Sequence, residues 1–288
     1  MSCSRQKRVA AIHDISCVGR CSLTVALPIL SAAGLDTGVL PTAVLSTHTG
    51  GFSGFTYRDL TEDIEPIKAH WLSLGLQFDA MYSGFLGSFE QIDLVADLFD
   101  SFRTKDTLIM VDPVMADQGK LYSIYSPEMA KGMAGLCAKA DLIVPNLTEA
   151  AFILDEEYRE GPYTKEYIES MLRRLAALGP KMVVLTGVWF EESRLGAAAY
   201  DATADQVSYA FDSHIPGYFH GTGDVFGSAL LSGLMNGCTL PEAAELAVAY
   251  TRECIRLTVE ADQELRYGVC FERALPLLMQ RLQDKNHA

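Results

Sequence analysis

The chain has 288 residues, of which 49% are hydrophobic and 21% charged, a balance that excludes a largely disordered protein and is enough to bury a sizeable core. A formal net charge of −14 excludes a general nucleic-acid binder, because affinity for a phosphate backbone comes largely from clustered Lys and Arg. Any polyphosphate ligand must therefore be held locally, by backbone N–H groups, helix N-termini and a divalent cation.

The first strand is predicted at Arg8–Ile12, a helix at Ser22–Ala33 and a second strand at Gly38–Leu45. A helix follows around Ile64–Leu74, a strand at Ala80–Tyr82, a helix at Ser88–Phe102, a strand at Thr107–Val111 and a helix near Ser126–Ala138. The alternation continues with a strand at Leu142–Val144, helices near Thr148–Leu154 and Lys165–Leu178, and a strand at Met182–Thr186. Such alternation implies an α/β fold with a mainly parallel sheet covered on both faces, and ligands gathered at the carboxyl ends of the strands. After Thr186 the segments shorten, and Arg194–Tyr200 with Gln206–Phe211 read as a hairpin-like pair. The polar stretch Asp155–Lys165 reads as a surface loop and no repeat is present, so one domain over residues 1–288 is expected.

Seven scattered cysteines, Cys3, Cys17, Cys21, Cys137, Cys238, Cys254 and Cys270, form no C-x-x-C pair and have no His-rich partner spacing, so neither disulfides nor structural zinc are expected. The N-terminal residues carry no secretory apolar region and no stretch is long enough to span a bilayer; a cytoplasmic protein with reduced thiols and no membrane partner is the expectation.

The most informative segment is His220-Gly221-Thr222-Gly223-Asp224-Val225-Phe226-Gly227, which precedes a helical pattern over Ser228–Met235. A Gly-x-Gly turn opening a helix leaves several N–H groups unpaired at the positive end of the helix dipole, where they favour a developing anionic phosphoryl group. A carboxylate in that first turn can accept the proton of an alcohol attacking phosphorus. It can equally do no more than complement the dipole, and the segment alone leaves both readings open. Asn146 with Glu149 likewise has the spacing of a capping box, and Asp112 before Pro113 that of a turn initiator.

Context decides between them. Gly-Thr-Gly-Asp in the last quarter of an alternating α/β chain resembles the anion-hole motif of ribokinase-like kinases. Val111-Asp112-Pro113-Val114-Met115-Ala116-Asp117 resembles the Asp-Pro-Val-Met-Gly-Asp segment of pyridoxal kinases, with Ala116 where glycine is usual. Val144-Pro145-Asn146-Leu147-Thr148-Glu149 resembles their Pro-Asn-x-x-Glu segment, and Tyr82-Ser83-Gly84-Phe85-Leu86-Gly87-Ser88 their Ser-Gly-Tyr-Leu-Gly-Ser stretch. Ile12 to Arg20 is similar to the family's ring-contacting segment, but Asp14 stands where a serine meets the pyridine nitrogen. Leu45 to Phe52 is similar to the family's Ser-Asn-His-Thr segment, with His48 beside Thr49 and then Gly50-Gly51 in place of a glutamine or tyrosine.

The resemblance implies a ribokinase-like three-layer α/β/α sandwich, and an enzyme that transfers the γ-phosphoryl group of ATP to a ring alcohol with Mg²⁺ as cofactor. Carried over residue by residue, it makes Asp224 the catalytic base and Gly221, Thr222 and Gly223 the anion hole. Asp117, Asn146, Glu149 and Thr186 become ATP-binding residues, Asp112 and Glu149 metal ligands, and Asp14, Thr49, Tyr82 and Asp224 substrate contacts. It also implies a homodimer. A B6 vitamer is the expected substrate, with hydroxymethylpyrimidine as the alternative. A nucleotide-binding regulatory protein without catalysis is a further reading, which the intact Asp224 disfavours. A Rossmann dehydrogenase is disfavoured because the first strand leads into Asp14–Cys21, which lacks a G-x-G-x-x-G turn.

Overall fold

Val9, Ala10, Ala11 and Ile12 form an unbroken apolar run, and none of the four reaches solvent. Such a run suits a strand covered on both faces, and β1 (Arg8–Val18) is the middle of a parallel sheet. On one side of it lie β2 (Asp36–Thr47) and the short antiparallel edge strand β3 (Tyr57–Asp59). On the other lie β4 (Ala80–Ser83), β5 (Leu108–Val111), β8 (Leu142–Ile143) and β9 (Met182–Glu191), all parallel to β1. The hairpin expected after Thr186 is β10 (Arg194–Asp201) and β11 (Gln206–Ser213), which extends this nine-stranded sheet antiparallel beyond β9. A small separate hairpin, β6 (Ala116–Asp117) and β7 (Lys120–Leu121), hangs from the end of β5. These strands belong to a computed structural model that describes residues 5–123 and 125–287; Cys3 lies outside them, and the other six cysteines carry free thiols.

Side-chain alternation divides the core into two layers. Ala10, Ile12, Met81, Ile109, Val111, Val183 and Leu185 point to one face, and Val9, Ala11, Ala80, Tyr82, Met110 and Val184 to the other. The first face is covered by α2 (Thr61–Ser73), α3 (Phe89–Phe102), α4 (Pro127–Ala138), α5 (Leu147–Ile153) and α6 (Lys165–Ala176). In α3, Ser88 caps by accepting the Gln91 N–H at 3.1 Å, and Ile92, Val95, Leu98, Phe99 and Phe102 form the buried stripe. The second face is covered by α1 (Leu23–Ala32), α7 (Thr222–Met235), α8 (Leu240–Glu260) and α9 (Phe271–His287). The result is the three-layer α/β/α sandwich expected from the sequence.

Three features differ from the sequence reading. β1 runs six residues past Ile12, where the strand was expected to end, because β2 continues beside it as far as Thr47. The pairing slips on the way: His13 faces Pro41 but Ile15 faces Val44, so β2 bulges at Thr42 and Ala43 and Asp14 sits opposite the bulge. Helices α8 and α9 were not expected, although Thr239 and Glu242 form a capping box that announces α8.

Candidate active site

Beyond β1 the chain turns to β2 on one side and later to β4 on the other, so β1 and β4 flank the topological switch point of the sheet. A cleft of about 600 Å³ opens over the carboxyl ends of the strands, lined by Asp14 from β1, Phe85 beyond β4, Asp112 beyond β5, Asn146 beyond β8 and Thr186 on β9. The N-terminus of α7 closes it from above with Gly221, Thr222, Gly223 and Asp224. Among the described lining residues Arg252 is the one Lys or Arg. An anion bound here must rely on backbone donors and a cation brought with it, as the net charge suggested.

The turn before α7 has a specific backbone. Gly221 is left-handed, with φ 75°, and a Cβ on it would lie 2.0 Å from the Arg20 carbonyl oxygen. Only glycine fits. Having no side chain, it cannot cap the helix, so the first N–H groups of α7 have no intrahelical acceptor, and the residues that carry them line the cleft. Asp224, the third helical residue, does not fold back on its own N-terminus. Its Oδ2 accepts the Ser22 N–H at 2.8 Å, from the loop after β1. Ser22 itself has φ 55°, a strained value for a non-glycine residue of the kind that gathers at functional sites. Burial pushes the Asp224 carboxyl up to about 7, opposed by the Ser22 N–H and reinforced by the negative charge of Asp14. A carboxyl group that changes charge near neutrality results.

Asp112 faces this turn, for a Cβ on Gly223 would lie 3.9 Å from its Oδ2. Burial raises the Asp112 carboxyl well above the ordinary range, with the charges of Glu149 and Asp224 adding to the effect. Glu149 is raised to about 8 by burial, although the backbone N–H groups of Asn146 and Met115 donate to it at 2.8 and 3.2 Å. Asn146 returns the bond, its Oδ1 accepting the Glu149 N–H at 2.9 Å, which completes the capping box of α5. The capping and ligand readings of this pair are therefore compatible. Two buried carboxylates this close, with no Lys or Arg between them, have the chemistry of a cation site. Among the described residues no group of three His, Cys, Asp or Glu side chains converges to hold a metal alone. Mg²⁺ takes one or two carboxylates and completes its shell with phosphates and water, so the pair Asp112 and Glu149 would suit it.

Asp14 is 4% exposed, and burial raises its carboxyl too, opposed by the Ser22 and Ser16 hydroxyls. Thr49 is exposed on the rim, with His48 below it bonded to the Arg266 carbonyl oxygen at 2.6 Å. Asp117 and Thr186 line the same cleft. Of the residues singled out in the sequence, only Tyr82 lies outside it. The alternation along β4 turns Tyr82 into the core beneath α7, where it is 0% exposed, so the expected substrate contact is corrected. From this segment it is Phe85, past the end of β4, that lines the cleft. The sequence signal was available: Phe85, not Tyr82, matches the tyrosine of the Ser-Gly-Tyr-Leu-Gly-Ser stretch. Tyr218 and His220, just before the glycine turn, also line the cleft, as does Arg252, which carried no motif.

Comparison with known proteins agrees with the geometry. Residues 36–268 match the phosphomethylpyrimidine kinase family. A candidate phosphomethylpyrimidine kinase of Bacteroides thetaiotaomicron, solved in a crystal form with pyridoxal, is 41% identical with a TM-score of 0.91 over 95% of this chain and 96% of that one. The pyridoxal kinase of Lactobacillus plantarum is 30% identical, with a TM-score of 0.87 over 99% of each chain. A hydroxymethylpyrimidine/phosphomethylpyrimidine kinase of Mycobacterium bovis is 28% identical over 255 residues, 86% of this chain and 88% of the relative. Glycine turn, helix-borne carboxylate and strand-end acids thus sit in a chain that belongs to the phosphomethylpyrimidine kinase family, a pyridoxal kinase-like member of the ribokinase-like superfamily and an ATP-dependent phosphotransferase.

Proposed function

We propose that the cleft transfers the γ-phosphoryl group of ATP to the 5′-hydroxymethyl group of a B6 vitamer. The observation that carries this reading is Asp224: a carboxylate raised to about 7, beside the free N–H groups of α7, in the same cleft as the buried carboxylate of Asp14. Asp224 takes the proton of the attacking hydroxyl, and the amides of Gly221, Thr222 and Gly223 donate to the migrating phosphoryl oxygens. Asp112 and Glu149 would hold Mg²⁺, partly through water, with Asn146, Asp117 and Thr186 on the nucleotide phosphates. When bound, Mg²⁺ supplies charge neutralisation between the phosphates.

Asp14 orients the ring. Its carboxylate accepts a hydrogen bond from a protonated pyridine nitrogen or a substrate ammonium, and Thr49 and Phe85 flank the remaining edge and face. That the 41% identical relative was solved in a crystal form with pyridoxal supports a pyridine ring as the substrate. A hydroxymethylpyrimidine kinase is the second reading, favoured by the family match and by the exocyclic amine that such a substrate would offer to Asp14. A homodimer in the cytoplasm belongs to the same proposal.

The test is a substrate panel. Purified protein with MgATP is assayed on pyridoxal, pyridoxamine, pyridoxine and hydroxymethylpyrimidine, and kcat/KM is compared. A B6 vitamer is expected to exceed the pyrimidine by at least about tenfold. The reverse order assigns the pyrimidine, and no phosphorylation of any of the four overturns the reading.

A further inference from the structure

We propose that Tyr82 is a positioning residue for phosphoryl transfer: its ring is a spacer of fixed length between the sheet and α7 that sets where Asp224 stands relative to Asp14. The proposal rests on the reading of Asp224 as the base.

Tyr82 bridges the two elements that carry the site carboxylates. On the sheet side its ring meets that of His13, the neighbour of Asp14 on β1, edge to face with centroids 4.4 Å apart and planes at 79°. Both side chains are 0% exposed. On the helix side its hydroxyl abuts Gly227, one turn beyond Asp224: a Cβ there would lie 2.4 Å from Tyr82 Oη and 3.1 Å from Cζ. A glycine inside a helix weakens it relative to alanine, so this one calls for a packing reason, and the tip of the tyrosine supplies it.

The hydroxyl lies near that of Ser228 but not at hydrogen-bonding geometry. Tyr82 Oη, Ser228 Oγ and both ring nitrogens of His13 are buried and without partners among the described residues. Phenylalanine would fill the same space without an orphaned polar atom, so what the hydroxyl adds is length. The layer between β1, β4 and α7 is close-packed, and α7 is buried from Val225 to Gly233, so a change in that length is transmitted along the helix to its first turn. For an in-line transfer, misplacing a reacting group by about 1 Å can cost about a hundredfold.

The experiment compares Gly227→Ala, Tyr82→Phe and the double variant, with Gly233→Ala as control and Asp224→Asn alongside. Gly233 lies toward the far end of α7, where a Cβ would lie 3.1 Å from that of Ala243, so its replacement strains the helix away from the site. Gly227→Ala is expected to lower kcat about 10- to 100-fold with both KM values within a few-fold. Adding Tyr82→Phe removes the 2.4 Å contact and is expected to restore most of that loss. Gly233→Ala is expected to lower Tm while leaving kcat unchanged.

The proposal is overturned if Gly227→Ala folds and keeps its kcat, if the double variant folds without recovery, or if Gly233→Ala loses as much turnover. Should Gly227→Ala fail to fold, Tyr82→Leu shortens the spacer without adding an atom to α7: reduced kcat at unchanged KM supports the proposal, and unchanged kcat overturns it. Failure of the underlying reading is distinguishable, because Asp224→Asn would then retain turnover whatever the glycine variants do.

Discussion

Helices α5 and α7 both begin in the cleft and both carry an acid at their third position, yet they use it in opposite ways. Glu149 closes back on the Asn146 N–H at 2.8 Å and Asn146 accepts the Glu149 N–H at 2.9 Å, so the N-terminus of α5 is satisfied by its own residues. At α7 the cap is Gly221, which has no side chain, and Asp224 reaches instead to Ser22 at 2.8 Å on another segment. The difference teaches what a glycine at the cap does. It forgoes about 1 kcal/mol or less of helix capping and leaves donors and a carboxylate available to a ligand.

The comparison breaks most severely at the cap itself. Gly221→Ala places a Cβ 2.0 Å from the Arg20 carbonyl oxygen at a φ of 75°. It is expected to lower kcat by about a hundredfold or more as the donors of α7 move off the phosphoryl oxygens. Steady-state assays on protein shown to be folded by its Tm check this, and wild-type turnover would remove the anion hole from the account.

The carboxylate of α7 should also be visible in the pH dependence. A base must be deprotonated, and Asp224 is raised to about 7. On the acid side kcat/KM should therefore fall by about tenfold per pH unit below about 7 and level off above it. An acid limb at the ordinary carboxylate range, near 4, would show that Asp224 is not held as described.

The smallest effect concerns stability and sharpens the contrast with Asp112, whose carboxyl is raised by burial and by the charges of Glu149 and Asp224. The folded state keeps a proton on it that the unfolded chain releases above about 3.9, so its contribution to stability falls as pH rises through the window between those two values. Asp112→Asn is expected to match the wild type near pH 4 and to exceed it in Tm by about 3 °C or more at pH 8 without nucleotide or metal, while losing activity with MgATP. A lower Tm than the wild type at pH 8 would contradict this.

Much of this was legible in the sequence, for identifiable reasons. Gly221-Thr222-Gly223-Asp224, Asp112-Pro113 and Asn146-x-x-Glu149 stand at strand and helix ends, where glycine, proline and asparagine report the backbone directly. The layers followed from alternation between strands and helices. Tyr82 is the exception, and both motif and parity point away from it: the motif's tyrosine aligns with Phe85, beyond the end of β4, and in the strand residue 82 shares its buried face with Ala80. The bulge opposite Asp14 was not readable, since register is a property of β1 and β2 together. Helix α8 is weakly marked, because Ala243, Ala244 and Ala247 dilute the larger Leu240, Leu246, Val248 and Tyr250 buried on its inner face.

The most direct test of the central claim is phosphoryl transfer measured in a single turnover by Asp224→Asn, with MgATP binding measured separately on the same protein. Transfer is expected to fall by about 10²- to 10⁴-fold while nucleotide affinity stays within a few-fold of wild type. Transfer at a near-normal rate would contradict the assignment of the base and, with it, the account of why α7 begins with glycine.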